Sequence, residues 1–338
     1  MTDDFAGAPA RASFLVGRRP TWQALLALGL WLGTSCRNWD EDETCEPVGS
    51  TARSVTGACV SFAAPVEVGR VQDSALVEAS GLQASRAHPG VLYTHNDSGD
   101  SARFFALDSS GRTLGEYLLS GLSAVDWEDV AIGPGRSGGN DLYFADIGDN
   151  SVTDSTVAPR AEIQVVRVRE PDVSLTQARV QQTLNGWERI RMSYPDRPHD
   201  AETLLVDPKG SDLWILTKET NGRSEIFSAP AATPAETHVV LQQVGEVSLG
   251  GCAGGPQLTS GDISPDGTLV LLRTYQAVLL WERAAGTSLP DALAKSPWML
   301  HAPSEVQGEG VSFSADGGAW FTIGEGAASP IFRAAASP

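Results

Sequence analysis

Positive charge is scarce in this chain: 24 Lys and Arg stand against 42 Asp and Glu, a formal charge of −18 with a pI near 4.6. No stretch gathers the basic residues into a patch, which excludes a nucleic-acid or anionic-membrane surface and favours solubility or cation binding. Long segments of helical period are missing after residue 40, so a helix bundle is excluded as well. The sequence holds no Gly-x-Ser-x-Gly elbow, P-loop or dinucleotide fingerprint, which counts against serine-hydrolase, nucleotide and nicotinamide chemistry. Cysteine is limited to four residues, none at zinc-site spacing.

Turn residues are abundant, with 35 Gly and 20 Pro, and they punctuate short runs of Val, Leu, Ile, Trp and Tyr. That alternation predicts an all-β fold. The runs are organised by an internal repeat whose equivalent triplets are Ser80-Gly81-Leu82, Glu128-Asp129-Val130, Glu202-Thr203-Leu204, Thr259-Ser260-Gly261 and Glu309-Gly310-Val311. Each triplet opens a strand that runs into a Pro/Asp/Gly turn, as at Asp207-Pro208-Lys209-Gly210, Ser264-Pro265-Asp266-Gly267 and Ser314-Ala315-Asp316-Gly317. A second apolar strand then returns, giving a hairpin five times over.

Before the repeats, residues 1–35 carry the pattern of a signal peptide. Arg11, Arg18 and Arg19 precede the apolar run Trp22 to Leu32, which ends at Gly33-Thr34-Ser35-Cys36. The run is too short to span a bilayer. Small residues before a cysteine resemble a lipobox, which would make Cys36 the lipidated N-terminus; plain cleavage after Ser35 is the other reading. Residues 36–59 are acidic and turn-rich and read as a tether. Export permits disulfides, so Cys45 and Cys59 could close a polar loop with Cys252 left over, or no cysteine is paired.

Residues 60–338 are expected to form one domain, a five-bladed β-propeller of four-stranded blades. The first blade takes Ser80–Ser85, Val91–Asn96, Arg103–Leu107 and Leu114–Leu119. The second runs from Glu128 to about Tyr194 with an insertion around 150–160, the third from Glu202 to Leu249 and the fourth from Thr259 to Ala302. The fifth stops one strand short. The strand Pro65–Val71, which precedes the first repeat, would complete that blade, closing the ring and covering both edges.

In an antiparallel blade the start of the first strand and the end of the second share one face, so two residue sets converge on one mouth. The first is Glu78, Ser80, Asp126, Glu128, Asp129, Asp200, Glu202, Thr259, Gln307 and Glu309. The second is His95, Asn96, Asp97, Asp100, Asp146, Asp149, Asn150, Lys218, Glu219, Arg273 and Glu325. Such carboxylates raise one another's pKa unless a cation or basic side chain intervenes, and hard oxygen ligands suit Ca²⁺ or Mg²⁺. Glu128, Glu202 and Glu309 are therefore the expected Ca²⁺ ligands. Ser80, Asn96, Asp97, Asp149, Asn150, Lys218, Glu219, Arg273 and Glu325 are the expected ligand-binding residues, and His95 and Asp146 the candidate catalytic groups. His199 is a further general base or metal ligand near the mouth. Turn chemistry alone accounts for Asp and Asn in loops such as 96–100 and 146–150; it does not account for a repeated glutamate at a channel-lining position. Trp127, Trp187, Trp214, Trp281 and Trp320 offer stacking faces for a sugar, although Trp214 and Trp320 fall inside second strands and read as inter-blade core.

The strand-opening motifs Ser80-Gly81-Leu82, Glu128-Asp129-Val130, Glu202-Thr203-Leu204 and Glu309-Gly310-Val311 resemble those of the phytase-like and SdiA-regulated-type β-propellers over residues 60–338. Thr259 stands where the other late blades carry an acid, and several of those relatives have six blades. The resemblance implies a propeller fold with either a binding role or calcium-dependent hydrolysis of phosphoesters or lactones. The expected protein is an exported, lipid-anchored or secreted monomer of the cell envelope. It binds a small-molecule or protein partner, with metal-dependent hydrolysis as the alternative activity.

Overall fold

The computed structural model describes residues 51–53, 59–152, 158–210, 212–230, 233–249 and 255–337. The expected signal peptide, the expected lipidation site Cys36, most of the expected tether, Cys45 and Cys252 lie outside these, as does the side chain of Cys59.

Short strands separated by glycine and proline turns build five small, mainly antiparallel sheets in a ring. Three strands precede the first repeat: β1 (Thr51–Arg53), β2 (Cys59–Phe62) and β3 (Val66–Arg70). The first blade contains β4 (Ala79–Ala84), β5 (Val91–Asn96), β6 (Arg103–Asp108) and β7 (Thr113–Leu119). The second is built on β8 (Trp127–Pro134), β9 (Asn140–Asp146) and β10 (Ile163–Arg169), after which β11 (Val180–Leu184) precedes its outer strand β12 (Glu188–Ser193). The third has β13 (Ala201–Val206), β14 (Leu213–Thr217), β15 (Arg223–Ala229) and, after β16 (His238–Val240), β17 (Gln242–Ser248). The fourth has β18 (Leu258–Ile263), β19 (Leu269–Thr274), β20 (Val278–Glu282) and β21 (Trp298–Leu300), with the one-turn helix α1 (Leu289–Leu293) before β21. The fifth has β22 (Gly308–Phe313), β23 (Ala319–Gly324) and β24 (Pro330–Ser337).

The N-terminal strands close the ring. β3 pairs antiparallel with the first half of β24 and β2 with its last residues, while β1 pairs with β2 inside the stretch expected to be tether. Ala63 bridges the two closing strands by donating to the Ala335 carbonyl. Two strands leave the blades in which the sequence pattern put them. β11 adds in parallel to β7 of the first blade, and β16 adds in parallel to β12 of the second, so these two sheets have five strands. The second and third blades thus each lend a strand backward over the preceding blade's edge, hiding backbone groups that would otherwise invite edge pairing.

The ring is held by five apolar clusters, one at each blade interface. Trp127, Trp281 and Trp320 are fully buried in them, and Trp214 is buried against the third and fourth blades. Only Trp187 of the five expected stacking faces is partly exposed, and its indole N–H donates to the Ser120 carbonyl at 2.9 Å. The innermost strands β4, β8, β13, β18 and β22 touch their neighbours all the way round. At this closeness Gly81 has no substitute, since a Cβ there would lie 2.4 Å from the Val130 backbone nitrogen.

Candidate functional site

The aligned triplets share a backbone device that the sequence does not display. Each innermost strand carries a β-bulge at its start: Trp127 pairs with Asp146 and Asp129 with Ala145, which leaves Glu128 as the extra residue. The same shift makes Glu202, Thr259 and Glu309 extra residues, and in the first blade Ser80 and Gly81 together face His95. A bulge kinks the strand and re-aims the extra side chain. Glu128, Glu202 and Glu309 are all buried and lie near enough for Glu202 to raise Glu128 and for Glu309 to raise Glu202, whereas the hydroxyl of Thr259 donates to the Gly308 and Glu309 carbonyls of the next blade.

Below the mouth the axis is plugged by hydrogen bonds. Asp129 accepts from the Val130, Leu204 and Gly261 amides at 2.9, 3.0 and 3.3 Å and from the Ser260 hydroxyl at 3.0 Å, tying three blades together. One level further down, Asp262 accepts from the Phe313 amide (2.8 Å) and the Ser312 hydroxyl (3.1 Å), while Gln83 donates to Ser312 at 3.0 Å. Burial pushes Asp129 well above the usual carboxylate range against these donors. The mouth is thus a closed-bottomed acidic cup, not a channel.

Inside the cup the acids divide unequally. Glu202 forms a close ion pair with Lys218, whose ammonium also lies 5.3 Å from the centre of the Tyr275 ring. Glu309 accepts from the Gln307 amide at 2.8 Å, and the same amide donates to Glu325 at 2.6 Å. Burial, with Glu325 nearby, raises Glu309 to about 8. Glu128 receives no hydrogen bond to its carboxylate from the described residues, and burial together with Glu202, Asp97, Asp126 and Asp200 pushes it well above its ordinary value. One carboxylate oxygen each of Asp97, Asp126 and Glu128 lie within 4.8 Å of one another. Asp126 Oδ1 is buried without a partner, and burial, then Asp97, raises this acid to about 6. Gly148 makes room for the group: a Cβ there would stand 1.8 Å from Glu128 Oε1 and 2.6 Å from Asp126 Oδ2.

The other expected residues take varied places. Asp146 is saturated, accepting from the Val125 and Asp126 amides, from Gln164 and from Arg160 at 2.8 to 3.2 Å, so it positions the Asp126 loop instead of facing the cup. His95 points into the core between the first and second blades, edge-on to Trp127 at 5.5 Å. Burial lowers it to about 4. Ser80 donates to the Glu128 carbonyl at 2.6 Å. Asn96 latches its loop, accepting from Val77 and Glu78 and donating to Ala75 and Asp100. Asp149 accepts from the Arg160 amide and gives its own N–H to Asp200, and Asn150 begins a short 3-10 turn. Arg273 turns away to a close pair with Glu305. Asp97 and Glu325 remain at the cup, and Glu219 lies beside His199.

The plug formed by Asp262, Gln83 and Ser312 lies outside the residues expected from the sequence; its signal there is a polar residue three places after the triplet start in three blades. Nor does sequence spacing point to the cleft of about 840 Å³ at the opposite ends of the third and fourth blades, lined by Asp207, Trp214, Arg283 and the start of α1. No protein-family model matches the chain, and no curated protein matches it.

Proposed function

We propose that the protein is a noncatalytic binding module whose acidic cup takes a divalent cation, Ca²⁺ before Mg²⁺, as part of the surface offered to a small-molecule or protein partner. The observation that carries this reading is the Asp97, Asp126 and Glu128 group: three converging acids, two of them buried, with an unpartnered Asp126 oxygen and, among the described residues, no basic side chain in ion-pair contact. Hard oxygen donors fit Ca²⁺, which tolerates irregular coordination completed by water better than Mg²⁺ does. Glu202 and Glu309, the other two expected ligands, are engaged by Lys218 and Gln307 and belong to the wall around the ion. The likeness to phytase-like propellers is part of the proposal, as are export through residues 1–35 and anchoring by lipid on Cys36.

Calorimetric titration of chelator-treated protein with Ca²⁺ tests the reading. A single site is expected, and at a hundredfold excess over its dissociation constant the ion should stabilise the fold by roughly 2.7 kcal/mol. Asp126→Asn with Glu128→Gln should abolish both. Absence of binding by the parent, or unchanged binding by the double variant, refutes it.

Metal-dependent hydrolysis of phosphoesters or lactones is the second reading, favoured by Glu309, which at about 8 is poised to exchange a proton near neutral pH. In it the cation would polarise the substrate oxygen, and Glu309 would replace His95 and Asp146 as the proton-transfer group. Turnover of a phosphoester or lactone that is lost both with chelator and in Glu309→Gln would select this reading.

A further inference from the structure

We infer that His199, Glu219 and Glu225, on the third blade beside the cup, form a separate site for a first-row divalent transition ion, with Zn²⁺ as the best fit. One ligand atom from each lies within 4.8 Å of the other two. The site shares no residue with the Asp97, Asp126 and Glu128 group.

The imidazole is prepared in the way metal-binding histidines usually are. Its Nε2 faces Asp196 Oδ1 at 3.1 Å, and a carboxylate at that nitrogen holds the hydrogen there and leaves Nδ1 with a lone pair. Tyr194 and Phe227 pack on the ring, with centroids at 4.7 and 5.0 Å, and the side chain is fully buried, so its direction is set. Nδ1 looks at Glu225 Oε2 across 3.1 Å, yet neither atom has a hydrogen-bond partner. Two buried acceptors this close repel unless something positive lies between them. The pair is out of line for a shared hydrogen bond, but it suits an ion. Two donors 3.1 Å apart, each about 2.1 Å from one metal, subtend about 95° there, a normal angle for an octahedral or five-coordinate site.

The second oxygen of Glu225 is occupied by the Gln243 amide at 3.3 Å, which leaves Oε2 for the ion. Glu219 has no hydrogen bond or ion pair among the described residues and sits half-buried just after β14, within a side-chain rotation of the other two. Among the described residues the opposing charge in contact is Arg197, whose guanidinium is 3.9 Å from both Glu225 and Asp196 and belongs to a mostly exposed side chain. An imidazole nitrogen with two carboxylates favours Zn²⁺ or Mn²⁺ over Ca²⁺, and at equal supply Zn²⁺ binds more tightly than Mn²⁺.

The test is titration of the chelator-treated full chain with Zn²⁺, read by calorimetry, and with Co²⁺, read by its visible absorption. One equivalent of Zn²⁺ is expected, not displaced by a hundredfold excess of Ca²⁺. Glu225→Gln should weaken it at least a hundredfold and Glu219→Gln about tenfold. Asp196→Asn should weaken it tenfold or more through loss of the imidazole's orienting partner. Because the Glu219 side chain holds nothing else in place, its variant tests the site even if His199→Ala does not fold. Glu128→Gln should leave Zn²⁺ affinity unchanged. No stoichiometric Zn²⁺ in the parent, full affinity in both glutamine variants at 219 and 225, or a loss caused by Glu128→Gln would each overturn the assignment.

Discussion

Replacing Glu309 by Gln should make the metal-free protein more stable, and only at the alkaline end of its range. Glu309 is 4% exposed and keeps one amide donor, Gln307, which it shares with Glu325. Burial raises its pKa from 4.5 to about 8, so the folded state holds this proton where the unfolded chain has released it. A raised carboxylate contributes stability that is complete below the unfolded value and is lost as pH climbs through the folded one. At about 1.4 kcal/mol per pH unit, the interval from 4.5 to about 8 caps the loss at roughly 5 kcal/mol. Water entering the open cup and movement of Lys218 reduce this, and about 2 kcal/mol is the working expectation. Glutamine has the same shape, can still accept from Gln307, and never ionises. Parent and variant should therefore melt together near pH 5 and separate toward pH 9. A gap of that size corresponds to about 3 °C in Tm for a domain of this length. Glu128, Glu202 and Asp126 are raised in the same direction and give the variant a residual slope. At the acid end the sign reverses. For Asp100, burial is outweighed by hydrogen bonds from Arg103, Asn96 and Ser101, so its contribution is lost as pH falls below 4. The assay is urea or thermal unfolding of both proteins in chelator from pH 4.5 to 9. Parallel curves, or a gap that opens toward acid, would refute the electrostatic account of the cup.

Three further expectations follow from other parts of the molecule. Asp129→Ala removes the acceptor for two buried amides and a hydroxyl from the third and fourth blades, and should cost about 4 kcal/mol in urea unfolding. Asp129→Asn should cost much less, and a loss under 1 kcal/mol in the alanine variant would show that the axis is held by packing alone. Deleting residues 59–70 bares the outer edge of β24 and removes the buried Phe62, so the shortened protein should aggregate or melt far below the parent. A monomer melting cooperatively near the parent temperature would contradict ring closure by these strands. Cys36→Ala should shift the protein from the membrane fraction to the soluble exported fraction, and unchanged fractionation would reject the lipid anchor.

Fold class, blade number, most strand positions and the closing strand were legible from the primary structure, because strand period, turn chemistry and repeat spacing are local properties written into each hairpin. Ser264-Pro265-Asp266-Gly267 is an example: Gly267 takes positive φ, and Asp266 and Ser264 bond the turn amides, all within a few residues. The repeated first residue of each triplet was legible as special for the same reason. Its cause was not, since a bulge is a property of pairing between two strands. The homes of β11 and β16 were equally hidden, because a polar edge strand carries no mark of which neighbouring sheet it will cover. Tertiary structure alone decided which acids remain unpaired. Lys218 reached Glu202, Arg273 turned to Glu305, and His95 rotated into the core while His199 met Glu225 from another strand. Those outcomes depend on side-chain direction and on partners 16 to 32 residues away. Spacing along the chain measures neither, and the electrostatics of the cup therefore arise only when the ring is closed.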